Sequence, residues 1–167
     1  GIVLDPVGEK ARRSDPERLA RLACLWTDDR DAAALRLLNA LPQPGLASDE
    51  MAFRLGLEPE DMPGLVARHP DLEQIFDGSE SWIATNRTIA DFETQILAAL
   101  RLAHAEAPHL PGLAAEALRA RICPRSDPRL FRKLTENMLA AETLRQTDGM
   151  LALAEHRPGL SPSQETE

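Results

Sequence analysis

Apolar side chains recur along this chain in short runs at helical spacing, each run bounded by proline, glycine or a capping residue. Asp15-Pro16-Glu17 offers an N-cap, a proline at the first helical position and an acid in the first turn, and Leu19, Leu22 and Trp26 follow three or four residues apart. Asp28, Asp29 and Asp31 interrupt the pattern. It resumes with Ala34, Leu35, Leu38 and Leu41 until Pro42-Gln43-Pro44-Gly45 stops it. Ser48-Asp49-Glu50 opens a short helix that ends near Gly56. Pro59-Glu60-Asp61 opens another, with Met62, Leu65 and Val66 inward, although Gly64 lowers its helix propensity by about 1 kcal/mol relative to alanine. Leu72 to Phe76, the turn Asp77-Gly78-Ser79-Glu80 and Trp82-Ile83 read as a hairpin, with Trp82 closing the core beneath it.

The plan then repeats. Thr88 with Asp91 reads as a capping box, and Phe92, Ile96, Ala99, Leu100 and Ala103 line one helical face. Pro111-Gly112-Leu113 echoes Pro44-Gly45-Leu46, 67 residues earlier, and a short helix follows over residues 114–121. Ser126-Asp127-Pro128 caps the next helix, whose inward side is Leu130, Phe131, Leu134 and Met138. Residues 144–153 form a second hairpin around Asp148-Gly149, a pair suited to a type I′ turn. That pair follows Asp77-Gly78 by 71 residues, which implies about four inserted residues, with Cys123–Ser126 the natural place. Helix, short helix, helix, hairpin is the order of a winged helix, a helix-turn-helix variant whose third helix usually meets nucleic acid. The expected fold is therefore mainly α with short β-hairpins: two tandem winged-helix domains, residues 16–86 and 87–158, each with its own core. Residues 1–15 read as a linker and 159–167 as a linker tail. One irregular helical bundle is the competing architecture.

Composition sharpens this picture. Aromatics are only 4% of 167 residues and tyrosine is absent, so leucine and alanine must fill the cores. The net charge of −8 argues against a dedicated nucleic-acid binder. The acidity is local: residues 1–86 hold 16 acidic and 9 basic side chains, against 11 and 10 in residues 87–167. Cys24 and Cys123 are far apart and form no C-x-x-C pair, which fits a reducing cytoplasm. No apolar run approaches the ~20 residues of a membrane span, so no membrane partner is expected.

Catalytic and metal constellations fail on inspection. His104-Ala105-Glu106 matches half of the zinc deaminase signature, but Cys123 precedes Pro124 and no second cysteine follows. His104 and His109 have no third ligand, and Glu155-His156 stands apart. No Walker loop, nucleophile elbow or dinucleotide fingerprint occurs. The expectation is a chain that is not an enzyme, with no catalytic residue, metal or cofactor. One cluster remains: Arg119, Arg121, Arg125, Arg129, Arg132 and Lys133 fall within fifteen residues, opposed only by Asp127. Arg129, Arg132 and Lys133 share the outer face of the third helix of the second unit, as phosphate binding requires. A solvated helix face is the competing reading of the same residues. The equivalent helix of the first unit opens with Glu58, Glu60 and Asp61, which suit the helix dipole and would repel phosphate.

Pro111-Gly112-Leu113, Glu116, Leu118-Arg119, Pro124, Leu130-Phe131, Leu134, Leu139 and Glu155-His156-Arg157-Pro158 with Leu160-Ser161 resemble the winged-helix region of the bacterial selenocysteine-specific translation elongation factors, the SelB family. Leu4-Asp5-Pro6, Arg12-Arg13 and Pro16-Glu17-Arg18-Leu19 look like the exit from that family's last β-barrel. The resemblance is specific from Pro111 to Ser161 and weaker in the first unit. It implies the first two of four winged helices, a spacer arm joining a GTPase and tRNA-binding body to an end that grips an mRNA hairpin. By that resemblance, the selenocysteine hairpin, selenocysteyl-tRNA and ribosome are partners of the full-length factor, and GTP and magnesium belong to its GTPase domain. The piece itself is expected to be a cytoplasmic monomer with an RNA or ribosome contact at the arginine cluster. A winged-helix DNA-binding transcriptional regulator is the alternative, although it would want a dimerisation helix, which is missing.

Overall fold

Short helices alternate with small hairpins along the computed structural model, which describes residues 29–158 together with Pro16, Leu19 and Ala23, all three helical and exposed. The expected linker over residues 1–15, the apolar positions Leu22 and Trp26, Cys24 and the tail 159–167 lie outside the described residues. The chain divides into two units, Gly1–Ile89 and Ala90–Glu167.

In the first unit, the carboxylate of Asp29 accepts from the backbone N–H groups of Asp31 and Ala32, at 3.1 and 3.0 Å, and caps helix α1 (Arg30–Asn39). Its buried face is Ala33, Ala34, Leu37 and Leu38. Leu37, absent from the face expected, is fully buried, while Leu35 and Leu41 pack at the edge of the same cluster. Strand β1 (Leu46–Ala47) leads into α2 (Ser48–Leu55), a 3-10 turn (Pro59–Asp61) continuing into α3 (Met62–Arg68), and the hairpin β2 (Leu72–Asp77) and β3 (Glu80–Thr85). The sheet is antiparallel in the order β1-β3-β2. Met51, Leu55, Met62, Leu65 and Ile83 close a core against α1, and Trp82 is buried in β3.

The second unit repeats the order with α4 (Asn86–Glu106), β4 (Leu113–Ala114), α5 (Ala115–Ile122), α6 (Pro128–Ala140), β5 (Leu144–Thr147) and β6 (Met150–Leu153), its sheet running β4-β6-β5. Helix α4 starts at Asn86, within the last residues of the first unit. The expected cap at Thr88 is corrected by one turn. Thr88 N donates to Thr85 Oγ1 at 3.0 Å while Thr85 N donates to Thr88 Oγ1 at 3.1 Å, so Thr85 is the cap and Thr88 its reciprocal partner. The Thr88 hydroxyl also lies 2.9 Å from the carbonyl of Pro44. Phe92 and Phe131 meet edge to face at 5.6 Å, and Ile96, Leu100, Leu118, Leu130, Leu134, Met138, Leu144 and Leu151 are buried.

The bookkeeping of the repeat differs from the sequence estimate. Helices α2 and α5 are both eight residues long and start 67 residues apart, at Ser48 and Ala115. The hairpins open at Leu72 and Leu144, 72 apart, so five residues are inserted rather than four. Two lie in the connection, residues 123–127 against 56–58. Three lengthen the third helix, 13 residues against the 10 from Pro59 to Arg68. The second hairpin is then shorter by two residues in each strand, which pulls the turns back to 70 apart. Asp77 is the last paired residue of β2, opposite Glu80, whereas Asp148 is itself in the loop with Gly149. The two Asp-Gly pairs are therefore out of register by one residue. Asp148 and Gly149 both take positive φ, 50° and 77°, as a type I′ turn requires.

Candidate nucleic-acid interface

The six clustered basic residues of the second unit sit on α5, α6 and the connection between them. Asp127 accepts from the backbone N–H of Arg129 at 2.7 Å, and Pro128 takes the first helical position, so α6 starts where the capping pattern places it. Leu130, Phe131, Leu134, Thr135 and Met138 face the core, which turns Arg129 and Arg132 outward. The Thr135 hydroxyl is satisfied inside the helix by the carbonyls of Phe131 and Arg132.

The six clustered cations do different things. Arg119 is drawn into the fold: only 16% of its side chain is exposed, and its Nη2 lies 2.6 Å from Glu116 Oε1. Its Nη1 donates to the carbonyls of Ser126 and Pro124, at 3.0 and 3.3 Å. These bonds tie the lengthened connection to α5. The pairing holds the Glu116 carboxyl below its ordinary range and raises Arg119 further above neutrality. Cys123 is buried beside this knot, and burial pushes its thiol up, against the Ser126 hydrogen bond and the Arg119 charge, so it is a poor nucleophile at neutral pH. Arg132 and Lys133 share Glu136, at 3.6 and 2.9 Å, a partner that counting only as far as Lys133 leaves out. Arg129, Arg125 and Arg121 are exposed. Exposed groups screened by solvent retain most of their attraction for an incoming polyanion, because their own ion pairs are weak. The exposed cations of the cluster are thus Arg121, Arg125, Arg129 and Arg132, whereas Lys133, expected on the same outer face, is half-buried beside Glu136.

The corresponding part of the first unit is acidic and occupied with its own ends. Glu58 and Asp61 form a capping box at the 3-10 turn, with Glu58 N donating to Asp61 Oδ2 at 3.3 Å. At the other end of α3, Arg68 donates to both oxygens of Asp31, at 2.9 and 3.1 Å, and links α3 to α1. His69 Nε2 lies 2.9 Å from Asp31 Oδ2, without the alignment of a hydrogen bond. The Arg68 hydrogen bonds, with His69 adding to them, hold the Asp31 carboxyl down at about 2.

Among the described residues no three His, Cys, Asp or Glu side chains converge as metal ligands, and no helix is long and apolar enough to cross a membrane. His104 and Glu106 do not meet a cysteine pair; instead His104 stacks on His156, a contact that sequence spacing did not suggest.

Residues 97–153 match the family described as elongation factor SelB, winged helix, under a label denoting the second such domain. No curated protein is similar enough in sequence to match. Among solved structures, the chain is similar to the mRNA-binding domain of elongation factor SelB from E. coli, whose structure is in complex with SECIS RNA. The likeness has a TM-score of 0.50 at 14% identity over 76% of this chain and 98% of that one, and it shows the shared fold.

Proposed function

We propose that this chain, whose residues 97–153 match the winged-helix family of elongation factor SelB, is a piece of a selenocysteine-specific elongation factor and serves as an arm between the body that carries GTP and tRNA and the end that holds the mRNA. The second unit, on this reading, also touches RNA backbone through Arg121, Arg125, Arg129 and Arg132. The observation that carries the RNA contact is the outward face of α6, where Arg129 and Arg132 are exposed, as are Arg121 on α5 and Arg125 in the connection before α6, while every large apolar residue of the helix but Leu139 is buried. A helix presenting guanidinium groups next to a wing is suited to phosphates rather than to base edges, and its contribution falls with salt. The acidic first unit supports the spacer half of the proposal, since its capping carboxylates would repel phosphate. The RNA bound to the E. coli domain is consistent with this partner class. Nucleotide hydrolysis stays with a GTPase body, because no glycine-rich phosphate loop occurs in this sequence.

The test is fluorescence anisotropy of labelled RNA hairpins against the whole chain across a salt series. Four phosphate contacts predict a slope of roughly −3 to −4 in log K against log salt, and an affinity no tighter than about 10⁻⁶ M. An unrelated hairpin should bind as well as a selenocysteine-insertion hairpin. Replacing Arg125 and Arg129 with alanine should flatten the slope by about 2 while far-UV circular dichroism stays unchanged. Undiminished binding by the double variant would leave the cluster as a solvated face and the piece as a passive spacer.

A further inference from the structure

His104 near the end of α4 and His156, just beyond β6, lie face to face with ring centroids 3.5 Å apart and planes 7° from parallel. Each ring also holds a backbone group of a different segment. Leu153 N lies 3.3 Å from His104 Nε2, and His156 Nε2 lies 3.0 Å from the carbonyl oxygen of Leu110. The chemistry of those partners sets the protons. An amide N–H can only donate, so His104 Nε2 must be the bare nitrogen and its proton sits on Nδ1. A carbonyl can only accept, so His156 must carry its proton on Nε2. His104 is therefore neutral when the arrangement is complete, and the two rings present opposite Nε2 chemistry, an acceptor on His104 and a donor on His156.

We infer that this pair is a proton-sensitive clasp that ties the residues leaving β6 to the C-terminal end of α4, and that protonating His104 opens it. A proton on His104 Nε2 would point at the N–H of Leu153 and turn an acceptor into a second donor. It would also place a cation flat against a ring that is itself titratable. The surrounding charges act in the same sense. From β5, Arg145 faces the pair as a further cation, and its Nε is buried with no hydrogen-bond partner. From the segment after β6, His156 adds its own positive charge whenever it is protonated. Glu106 on α4, Glu155 beside His156, and Arg101, His109 and Arg157 nearby in sequence are exposed, and no described carboxylate is hydrogen-bonded to either ring. Burial first, then His156 and Arg145, hold His104 below the ordinary imidazole range. The clasp is thus closed at neutral pH and opens on mild acidification, freeing residues 154–158 from α4 while the buried leucines of the hairpin keep the core together.

Nitrogen-15 NMR of the whole chain tests this directly. At pH 7.5, His104 should appear as the Nδ1–H tautomer, and His156 should carry a proton on Nε2. His104 should titrate below about 6.5. Protection of the Leu153 amide from hydrogen exchange, corrected for intrinsic rate, should fall as His104 protonates, by about tenfold for each unit by which its midpoint lies below the unfolded value. His156→Gln keeps a donor toward the Leu110 carbonyl but removes a titratable charge, so the His104 midpoint should rise. His104→Phe keeps a stacked ring without the acceptor, and should leave the Leu153 amide weakly protected at every pH. The inference is overturned if His104 is the Nε2–H tautomer, if Leu153 protection is the same at pH 7.5 and pH 5, or if His156→Gln leaves the His104 midpoint in place. Should His104→Phe fail to fold, the wild-type tautomers and His156→Gln still decide.

Discussion

Replacing Gly112 with alanine should damage the second unit far more than the same change at Gly149. A Cβ built on Gly112 would stand 2.3 Å from the carbonyl oxygen of Leu151 and 2.8 Å from its carbon, both backbone atoms of β6 that cannot rotate away. The residue also sits at φ 156°, at the edge of the region that side chains avoid. Strand β4 is only two residues long and is held to β6 by the Leu113–Leu151 and Ala114–Met150 pairs, so the least costly relief is for β4 to part from β6. Two backbone hydrogen bonds at about 1 kcal/mol each, with about 1–2 kcal/mol of residual backbone strain, suggest a loss of roughly 3 kcal/mol. Gly149, at φ 77° with nothing within 4 Å of an added Cβ, should lose only the conformational cost of about 1 kcal/mol. For a unit of this size, each kcal/mol shifts the midpoint by about 4–8 °C. Calorimetry should therefore place Gly112→Ala at least about 12 °C below the parent and Gly149→Ala within about 8 °C. Amide exchange should accelerate selectively at Leu113 and Leu151. Equal shifts for the two variants, or an intact β4 in Gly112→Ala, would refute the close-approach argument.

Asp31→Asn should cost no more than about 1 kcal/mol at pH 7, because Arg68, its hydrogen-bonding partner, is substantially solvated. The Asp31 carboxyl is depressed in the folded chain, so its contribution is present above its unfolded value near 3.8 and is lost as pH falls toward about 2; acid titration should show that loss in the parent and not in Asp31→Asn. Thr85→Ala should destabilise by about 1 kcal/mol and fray the first turn of α4, seen as faster exchange of the Thr88 amide. Leu134→Ala removes a 2% exposed core side chain from α6 and should cost about 2–5 kcal/mol in chemical denaturation.

Much of this architecture was legible in the residues themselves. Asp127-Pro128 starts a helix because a carboxylate can satisfy open N–H groups and proline has none to satisfy. Asp148-Gly149 makes a type I′ turn because both residues tolerate positive φ. These are preferences set within four or five residues, and a period of about 3.6 then tells which side of each helix is buried. The exposed side of α6 followed from the same period. What tertiary structure decided lies at longer range. The five inserted residues were obscured because a shorter wing offsets a longer helix, and only strand pairing separates the two. Thr85 became the cap of α4 because its strand ends there. Arg119 looked like its neighbours until the lengthened connection brought the carbonyls of Pro124 and Ser126 within its reach. His104 and His156 are separated by 52 residues, and no periodicity links them. Their meeting depends on where β6 releases the chain against α4, a position set by core packing rather than by any local preference of either histidine.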